Sequence, residues 1–422
     1  MNRTAAMIEG MGRKARAAAL KLASTPTETK RAALRAMADA FEKARARLVA
    51  ENAKDVARAK KEGLAPAMVE RLTLDAKRVA AMAQGVRAVA ALPDPVGEIL
   101  REWTRPNGLR IRKVRVPLGV IGIIYESRPN VTADSGALCL MAGNACILRG
   151  GREAIRSNAA IAGLMREAGD KAGLPPDSLQ LVRTTDREAV RALARLDQYL
   201  ACIVPRGGEG LIRAVVEHAT VPVVKHYKGV CHVFVDRAAD LAMAREIALN
   251  AKCQRPSVCN AMETLLVHCG AAERFLPGFA KELFARGVEL RADPKARAFL
   301  GKGGKVRAAR PADWGTEYNA LVLNVRVVDS LDEAIAHINR HGSAHSDSIV
   351  TSDTGAAERF LAEVDSATVY HNASTRFTDG GEFGMGAEIG ISTDRLHARG
   401  PMALEELTTY KYLIHGSGQI RA

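Results

Sequence analysis

Two cysteines six positions apart sit in NAKCQRPSVCNAMETLLVH, residues 250–268. A thiol in such a segment can bind a metal, pair as a disulfide, pack as a small hydrophobe or attack an acyl carbon. The apolar periodicity of DLAMAREIALNAK predicts a helix ending near Lys252, so Cys253 falls at a C-terminus whose dipole opposes a thiolate. Cys259 falls in the loop beyond Pro256-Ser257, ahead of a predicted strand METLLVH and close to Arg255. A cation and free backbone N–H groups favour ionisation there, which makes Cys259 the candidate nucleophile. The competing reading for this residue is a buried small hydrophobe. Cys269 ends the predicted strand and reads as packing.

Two glycine turns follow predicted strands and precede predicted helices: Leu148-Arg149-Gly150-Gly151 and Pro205-Arg206-Gly207-Gly208-Glu209-Gly210. Free N–H groups and a helix dipole at such points attract phosphate. Neither turn has the usual dinucleotide spacing or that of a Walker A loop. The pair, each with an arginine, points to a nucleotide, and the arginines suit a 2′-phosphate, hence NADP. His337, His341 and His345 have helical spacing, but Gly342 interrupts the helix before His345. No metal site is expected: the seven cysteines are an odd count over 139–269 without a C-x-x-C pair.

The elements that must position these residues can be read from periodicity. Residues 4–91 carry apolar positions at helical spacing, with Thr27 as an expected N-cap, until LPDP stops the helices at 92–95. Asn107-Gly108 then marks a hairpin with an expected type I′ turn, its arm LRIRKVRV needing a further partner. Strand-like and helical segments alternate from GVIGIIYE to VVEHA, and again from VPVVKHYKGVCHVFVD to VDSATVYHN, which predicts doubly wound parallel sheets. LTTYKYLIHGSG, 407–418, reads as a late strand. At 422 residues two or three domains are expected. The net charge of +14 raises nucleic-acid binding as an alternative class. Residues 1–90 hold 19 Lys/Arg against 9 Asp/Glu, yet Phe41 is the sole aromatic among them, so a solvated helical face is the simpler reading. No apolar run reaches membrane length and no signal core is evident, giving a cytoplasmic, non-membrane expectation.

Three long segments carry a resemblance that extends over essentially the whole chain. NAKCQRPSVCNAMETLLV, PLGVIGIIYESRPNVTADSGALCLMAGNACILRGGREA and VYHNASTRFTDGGEFGMGAEIGISTDRLHARGPMALEELTTYKY resemble the glutamate-5-semialdehyde dehydrogenase (γ-glutamyl phosphate reductase) family of the aldehyde dehydrogenase superfamily. The resemblance implies an α/β fold of two doubly wound domains plus a β-hairpin oligomerisation arm. The cofactor domain would span 1–101 and 121–224, the arm 102–120 with 407–418, and the catalytic domain 225–406. It implies Cys259 as nucleophile and Asn130, in SRPN, as the oxyanion donor. Arg149, Gly150, Arg206, Gly207, Gly208, Glu209 and Glu317 would hold the cofactor.

The implied reaction is reduction of L-glutamyl 5-phosphate by NADPH to L-glutamate 5-semialdehyde and phosphate, the second step of proline biosynthesis. Arg128, Arg255 and Arg376 are candidates for the substrate's carboxylate or phosphate. A homodimer or larger homo-oligomer is implied, together with transient contact with glutamate 5-kinase. Two departures stand out. Lys225-His226-Tyr227-Lys228-Gly229 replaces the superfamily's E-L-G-G segment and removes its water-activating glutamate, which disfavours the alternative of a hydrolytic aldehyde oxidation. Cys253 stands where the family motif has threonine, placing a second thiol near the candidate nucleophile in sequence.

Overall fold

The computed structural model describes residues 3–301 and 304–421. The chain forms two compact units, Met1–Lys225 with Gly384–Gly390 and Met402–Ala422, and His226–Phe383 with Ile391–Pro401.

The first unit is built on a four-stranded parallel sheet in the order Leu179–Leu181, Ala145–Gly150, Val120–Tyr125, Cys202–Arg206. Its central strands VIGIIY and ACILRG are buried at every position, as strands covered on both faces must be. Ile8, Ala15 and Leu193 from the helices pack with Val120, Ile124, Ile147 and Ile203. The helix Thr27–Lys43 buries Leu34, Met37, Ala38 and Phe41 along one stripe. Thr27 does not cap it: Pro26 takes the N-cap position, and the Thr27 hydroxyl donates to Asp94 at 2.6 Å. Asp94 also pairs with the fully buried Lys30 at 2.6 Å. The LPDP stop thus anchors the helix that begins 67 residues earlier. Part of the N-terminal positive charge is paired, by Arg31–Glu28 and Lys54–Glu51 within one helix turn and by Arg87 with Asp39 and Glu42 of another helix.

An antiparallel sheet joins Ile99–Thr104, Arg110–Pro117 and Thr408–His415 in that order. Its hairpin is not type I′. Gly108 N donates to Arg105 O and Arg105 N to Leu109 O, and only Gly108 of the pair has positive φ, at 87°. Pro106 explains this: its ring fixes a negative φ at the first central position, so a turn closed by a left-handed glycine replaces the two-residue loop.

The second unit carries a seven-stranded sheet, parallel throughout. Its order is Val306–Ala308, Glu289–Ala292, Val322–Val328, Met262–His268, Cys231–Val235, Ser346–Val350, Thr368–His371. Period-2 alternation divides its central strands between two cores. Val233, Val235 and Leu265 meet Phe275 and Phe279 on one face, while Phe234 and Leu266 meet Ile338 and Phe360 on the other. Cys269 opens the helix Cys269–Ala285 and is exposed, rather than ending the strand in a packed position.

The expected helix for His337 and His341 spans Leu331–His341, with Gly342 as its C-cap and His345 beyond it. His337 is buried against Trp314, His232 and His341. The Arg326 guanidinium donates to its Nδ1 at 2.8 Å, which occupies the lone pair a proton would need. Burial, then the neighbouring His232 and Arg326, hold its pKa down to about 2. In the unfolded chain this imidazole titrates near pH 6.5. The unfolded state therefore takes up the proton first, and stability is lost as pH falls below that value. The unfolding free energy should drop by up to about 1.4 kcal/mol per pH unit from this residue between roughly pH 6 and pH 4. Its ring resonances should not titrate in the folded protein over that window. A folded-state titration near pH 6, read by NMR, would contradict the assignment.

Candidate active site

Asp240 caps the helix Leu241–Cys253 by accepting from Ala242 N and Met243 N at 2.8 and 3.1 Å. In its last turn, Cys253 packs against the hydrophobic core of the sheet, and burial pushes its thiol up. Cys259 is half-buried in the loop that leads into strand Met262–His268. The two cysteines therefore have different surroundings, one apolar and one polar.

The Cys259 loop is fixed from several sides. Asn260 donates to Thr378 O at 2.9 Å and accepts from the Arg376 guanidinium, while Thr375 Oγ1 donates to Asn260 O at 2.7 Å. Cys231 Sγ donates to the Cys259 carbonyl at 3.2 Å. Gly229 lies so close that an added Cβ would sit 1.8 Å from Cys259 O and 2.5 Å from its Cα. No residue with a side chain can stand there without displacing the Cys259 backbone. Glu317 accepts the Gly229 N–H, and burial raises its pKa.

Imidazoles and guanidiniums surround the thiol. Cys259 Sγ, a ring nitrogen of His226 and one of His345 lie within 4.8 Å of one another. His226 Nδ1 is 2.7 Å from Ile391 O, and His345 Nδ1 is 2.8 Å from Ser346 Oγ. Ser346 continues through Thr378 to Tyr370 by contacts of 2.6 and 2.7 Å. Arg376 donates to Gln254 Oε1 at 2.8 Å, and its pKa is lowered by burial and by Arg255, while Cys259 opposes that shift. Neither Arg255 nor Arg376 forms an ion pair among the described residues. Two guanidiniums near a thiol, with Asp379 within electrostatic reach but in no ion pair with Arg376, favour an anion there.

Behind the loop, Lys252 and Glu263 form a fully buried pair at 2.7 Å. Burial lowers the lysine's pKa and pushes the glutamate's to about 7, with each partner opposing the other's shift. Glu263 also accepts from Tyr318 N and Asn319 N at 3.1 and 3.3 Å. It thereby holds the turn that presents Glu317.

In the first unit, Arg149 is buried at the end of strand Ala145–Gly150. Its Nη2 reaches Thr185 O at 3.4 Å, and its Nε has no hydrogen-bond partner among the described residues. Beyond it, an added Cβ on Gly150 would sit 2.0 Å from Asn158 Nδ2. Glu126 accepts Gly208 N at 3.2 Å at the start of helix Glu209–His218, and a Gly207 Cβ would sit 2.5 Å from that carboxylate. Glu209 pairs with Arg213 one turn on at 2.7 Å. Arg206 packs over Gly390. Asn130, exposed at the start of helix Asn130–Met141, donates to Asp134 at 2.8 Å. Burial pushes the Asp134 carboxyl up to about 6, opposed by that bond and by Arg206. Arg128 is half-buried in the segment before this helix.

Residues 1–297 and 314–412 match the aldehyde dehydrogenase family profile. The chain belongs to the aldehyde dehydrogenase family. Among its relatives is a protein named gamma-glutamyl phosphate reductase from Opitutus terrae, 57% identical over 420 residues, 99% of each chain. Another of that name, from Moorella thermoacetica, is 56% identical over 414 residues, 98% of each. The crystal structure of gamma-glutamyl phosphate reductase from Thermotoga maritima superposes with a TM-score of 0.96 at 46% identity, covering 98% of this chain and 100% of that one. An acetylating aldehyde dehydrogenase from Geobacillus thermoglucosidasius, 17% identical with a TM-score of 0.72, shares the fold.

Within this aldehyde dehydrogenase chain, the second unit brings together Cys259, Arg255, Arg376 and Glu317 from the residues read in sequence. Asn130, Arg128, Arg149, Arg206 and the glycines belong to the first unit. The sequence reading does not include Cys231, Glu126 or the Lys252–Glu263 pair, and it places His345 only with His337 and His341. It weighed Gly229 only as part of the segment that replaces E-L-G-G. Only Gly229 carried a signal, since a glycine just before a buried strand often marks a close backbone approach. Gly229→Ala should reduce kcat by about 100-fold or more, the scale of a roughly 1 Å misplacement of a reacting group. Steady-state kinetics beside alkylation of Cys259 checks this; a wild-type kcat would show that the loop relaxes freely.

Proposed function

We propose that this protein reduces L-glutamyl 5-phosphate to L-glutamate 5-semialdehyde with NADPH, releasing phosphate, as the second step of proline biosynthesis. The observation that carries the reading is the placement of Cys259, set in a tightly packed loop near Arg255 and Arg376, in a chain 57% identical to a protein named for this reaction. The Cys259 thiolate attacks the acyl carbon, the carbon–oxygen bond to phosphate breaks, and the phosphate leaves as an anion. Arg376 and Arg255 bind the anionic groups of the substrate, with Arg128 a third candidate. Backbone N–H groups of the Cys259 loop, and Asn130 on the family pattern, would receive the developing oxyanion. NADPH, when bound, supplies the hydride that reduces the thioacyl group. Collapse of the thiohemiacetal breaks the carbon–sulfur bond and returns the thiolate.

Arg149 suits a dinucleotide phosphate, its Nε having no partner among the described residues, while the space beside Gly150 and Gly207 is taken by Asn158 and Glu126. Arg149, Gly150, Arg206, Gly207, Gly208, Glu209 and Glu317 are the residues we assign to the cofactor. The glutamates at 126 and 209 limit how much anion that edge can take, so the preference for a 2′-phosphate rests on Arg149 and Arg206. The antiparallel sheet, with Tyr412, Leu413 and Ile414 exposed on strand Thr408–His415, supports its assignment as the arm of a homodimer or larger oligomer. No helix among the described residues is long and apolar enough to cross a membrane. A cytoplasmic location and transient contact with glutamate 5-kinase complete the proposal.

Cys259→Ala should abolish turnover with the fold and cofactor binding intact, whereas Cys253→Ser should keep most activity because its thiol faces the core. The reverse result in a reductase assay with purified variants would overturn the assignment of the nucleophile. NADPH should exceed NADH in kcat/KM by roughly 10- to 150-fold, equivalent to about 1.5–3 kcal/mol for a charged hydrogen bond. Equal values would remove the 2′-phosphate role from the two arginines.

The reverse reaction tests the missing glutamate. With semialdehyde and NADP⁺ in phosphate-free buffer, one burst of NADPH per Cys259 should precede a slow phase. Added phosphate or arsenate should restore steady turnover. Sustained turnover without either anion in a stopped-flow trace would mean that a base activates water, and the proximity of His226 to the thiol makes that imidazole the residue to replace first.

A further inference from the structure

The convergence of a thiol and two imidazoles has a consequence separate from acyl chemistry. Cys259 Sγ and one nitrogen each of His226 and His345 lie within 4.8 Å of one another, and all three residues belong to the second unit. One thiolate with two neutral imidazoles is a donor set for zinc and chemically similar divalent cations. Zinc bonds of about 2.3 Å to sulfur and 2.0–2.1 Å to nitrogen put tetrahedral ligand atoms roughly 3.3–3.6 Å apart. Closing from 4.8 Å asks for small rotations of Cys259 and His226, both half-buried, about the fully buried His345.

The outer contacts also resemble those of a metal site. A ligating imidazole ordinarily has its second nitrogen held by an oxygen, which fixes the tautomer. His226 Nδ1 has Ile391 O at 2.7 Å, and His345 Nδ1 has Ser346 Oγ at 2.8 Å. Nε2 is then the atom each ring would turn to a cation. Behind Ser346, Thr378 and Tyr370 continue the chain of hydroxyls, so His345 is braced over three residues. Opposing this is the Arg376 guanidinium, whose charge faces the same sulfur. It weakens the site for a dication but removes none of its ligands.

We propose that Cys259, His226 and His345 form an inhibitory site for a divalent cation of the zinc class, with its fourth position open to water or an anion. Binding exchanges the thiol proton for the metal: a sulfur–metal bond forms, one proton is released, and no redox change occurs. The metal-bound sulfur has its lone pair engaged and no longer attacks an acyl carbon. That the site is inhibitory rests on Cys259 as the nucleophile of the proposed reaction, whereas cation binding by the three side chains does not.

The test uses the full chain, stripped with a chelator and reduced with a phosphine, with Zn²⁺ alone as probe. Competition against a chromophoric chelator should reveal one equivalent bound per chain. Cys259→Ala and His226→Gln should each weaken it by more than about 10-fold, beyond the lower range for losing an outer contact alone. Cys269→Ser, at the exposed surface cysteine, should leave it unchanged. Cobalt(II) in place of zinc should give tetrahedral d–d bands and a thiolate charge-transfer band, both lost in Cys259→Ala and after alkylation of the unmutated protein at Cys259. The alkylation arm guards against misfolded variants. Wild-type affinity in His226→Gln would mean that the thiol acts alone and would overturn the three-ligand site, as would an equivalent that survives alkylation.

Discussion

The buried pair of Lys252 and Glu263 is the constraint from which the geometry around Cys259 follows. Two charges taken out of water at 2.7 Å do little for net stability, since desolvation cancels most of their attraction. Removing one partner is different: an uncompensated buried charge costs about 3–5 kcal/mol. The arrangement therefore tolerates no drift in either element. Lys252 lies in the last turn of the helix that leads into the Cys259 loop, and Glu263 is the second residue of the strand that leaves it. The loop between them is clamped at both ends. Through Tyr318 N and Asn319 N the same carboxylate fixes the turn that carries Glu317, which in turn binds Gly229 N. Gly229 closes the circuit by lying against the Cys259 backbone.

This circuit separates holding from reacting. The groups that hold Cys259 are backbone amides, Asn260, the Cys231 thiol and a glycine, none of which must change charge for the loop to keep its shape. The groups that face the sulfur are imidazoles and guanidiniums. A thiolate formed there is met by positive charge and hydrogen-bond donors, while the thiol of Cys253 faces the hydrocarbon core. Two cysteines six positions apart in sequence thus have unrelated environments.

Much of the fold was legible because its signals are local. Buried parallel strands read as unbroken apolar runs, and helices as stripes, so VIGIIY, ACILRG and the helix containing Leu34 and Phe41 stood out. The turn after Arg105 departs from the Asn-Gly expectation because the fixed φ of the preceding proline selects a different loop. Thr27 was misread because its hydroxyl partner, Asp94, is remote in sequence. The candidate site divides in the same way. Cys259 was accessible through helix-end electrostatics and through the segment around it. His345, Cys231 and Glu263 were not, because each reaches the loop from a different strand or strand entry, and only the register of the sheet brings them together. His345 was considered solely with His337 and His341, its neighbours in sequence, whereas its neighbours in space are His226 and Ser346.

The positive surroundings of Cys259 also bear on why the E-L-G-G glutamate is dispensable. A carboxylate beside the thiol would help water attack a thioester, but it would repel an incoming acyl phosphate and compete for Arg376 and Arg255. Burial, and after it the neighbouring Arg255, lowers the pKa of Arg376. An anion spanning both guanidiniums would offset the part due to their like charge. The glycine of the replaced segment remains because its role is steric: Gly229 must lie against Cys259 whichever group leaves. The glutamate's role is chemical, and it can be absent from a site whose acceptor arrives as an anion and needs no deprotonation. One position of the segment is set by the packing of the loop and the other by the charge of the substrate.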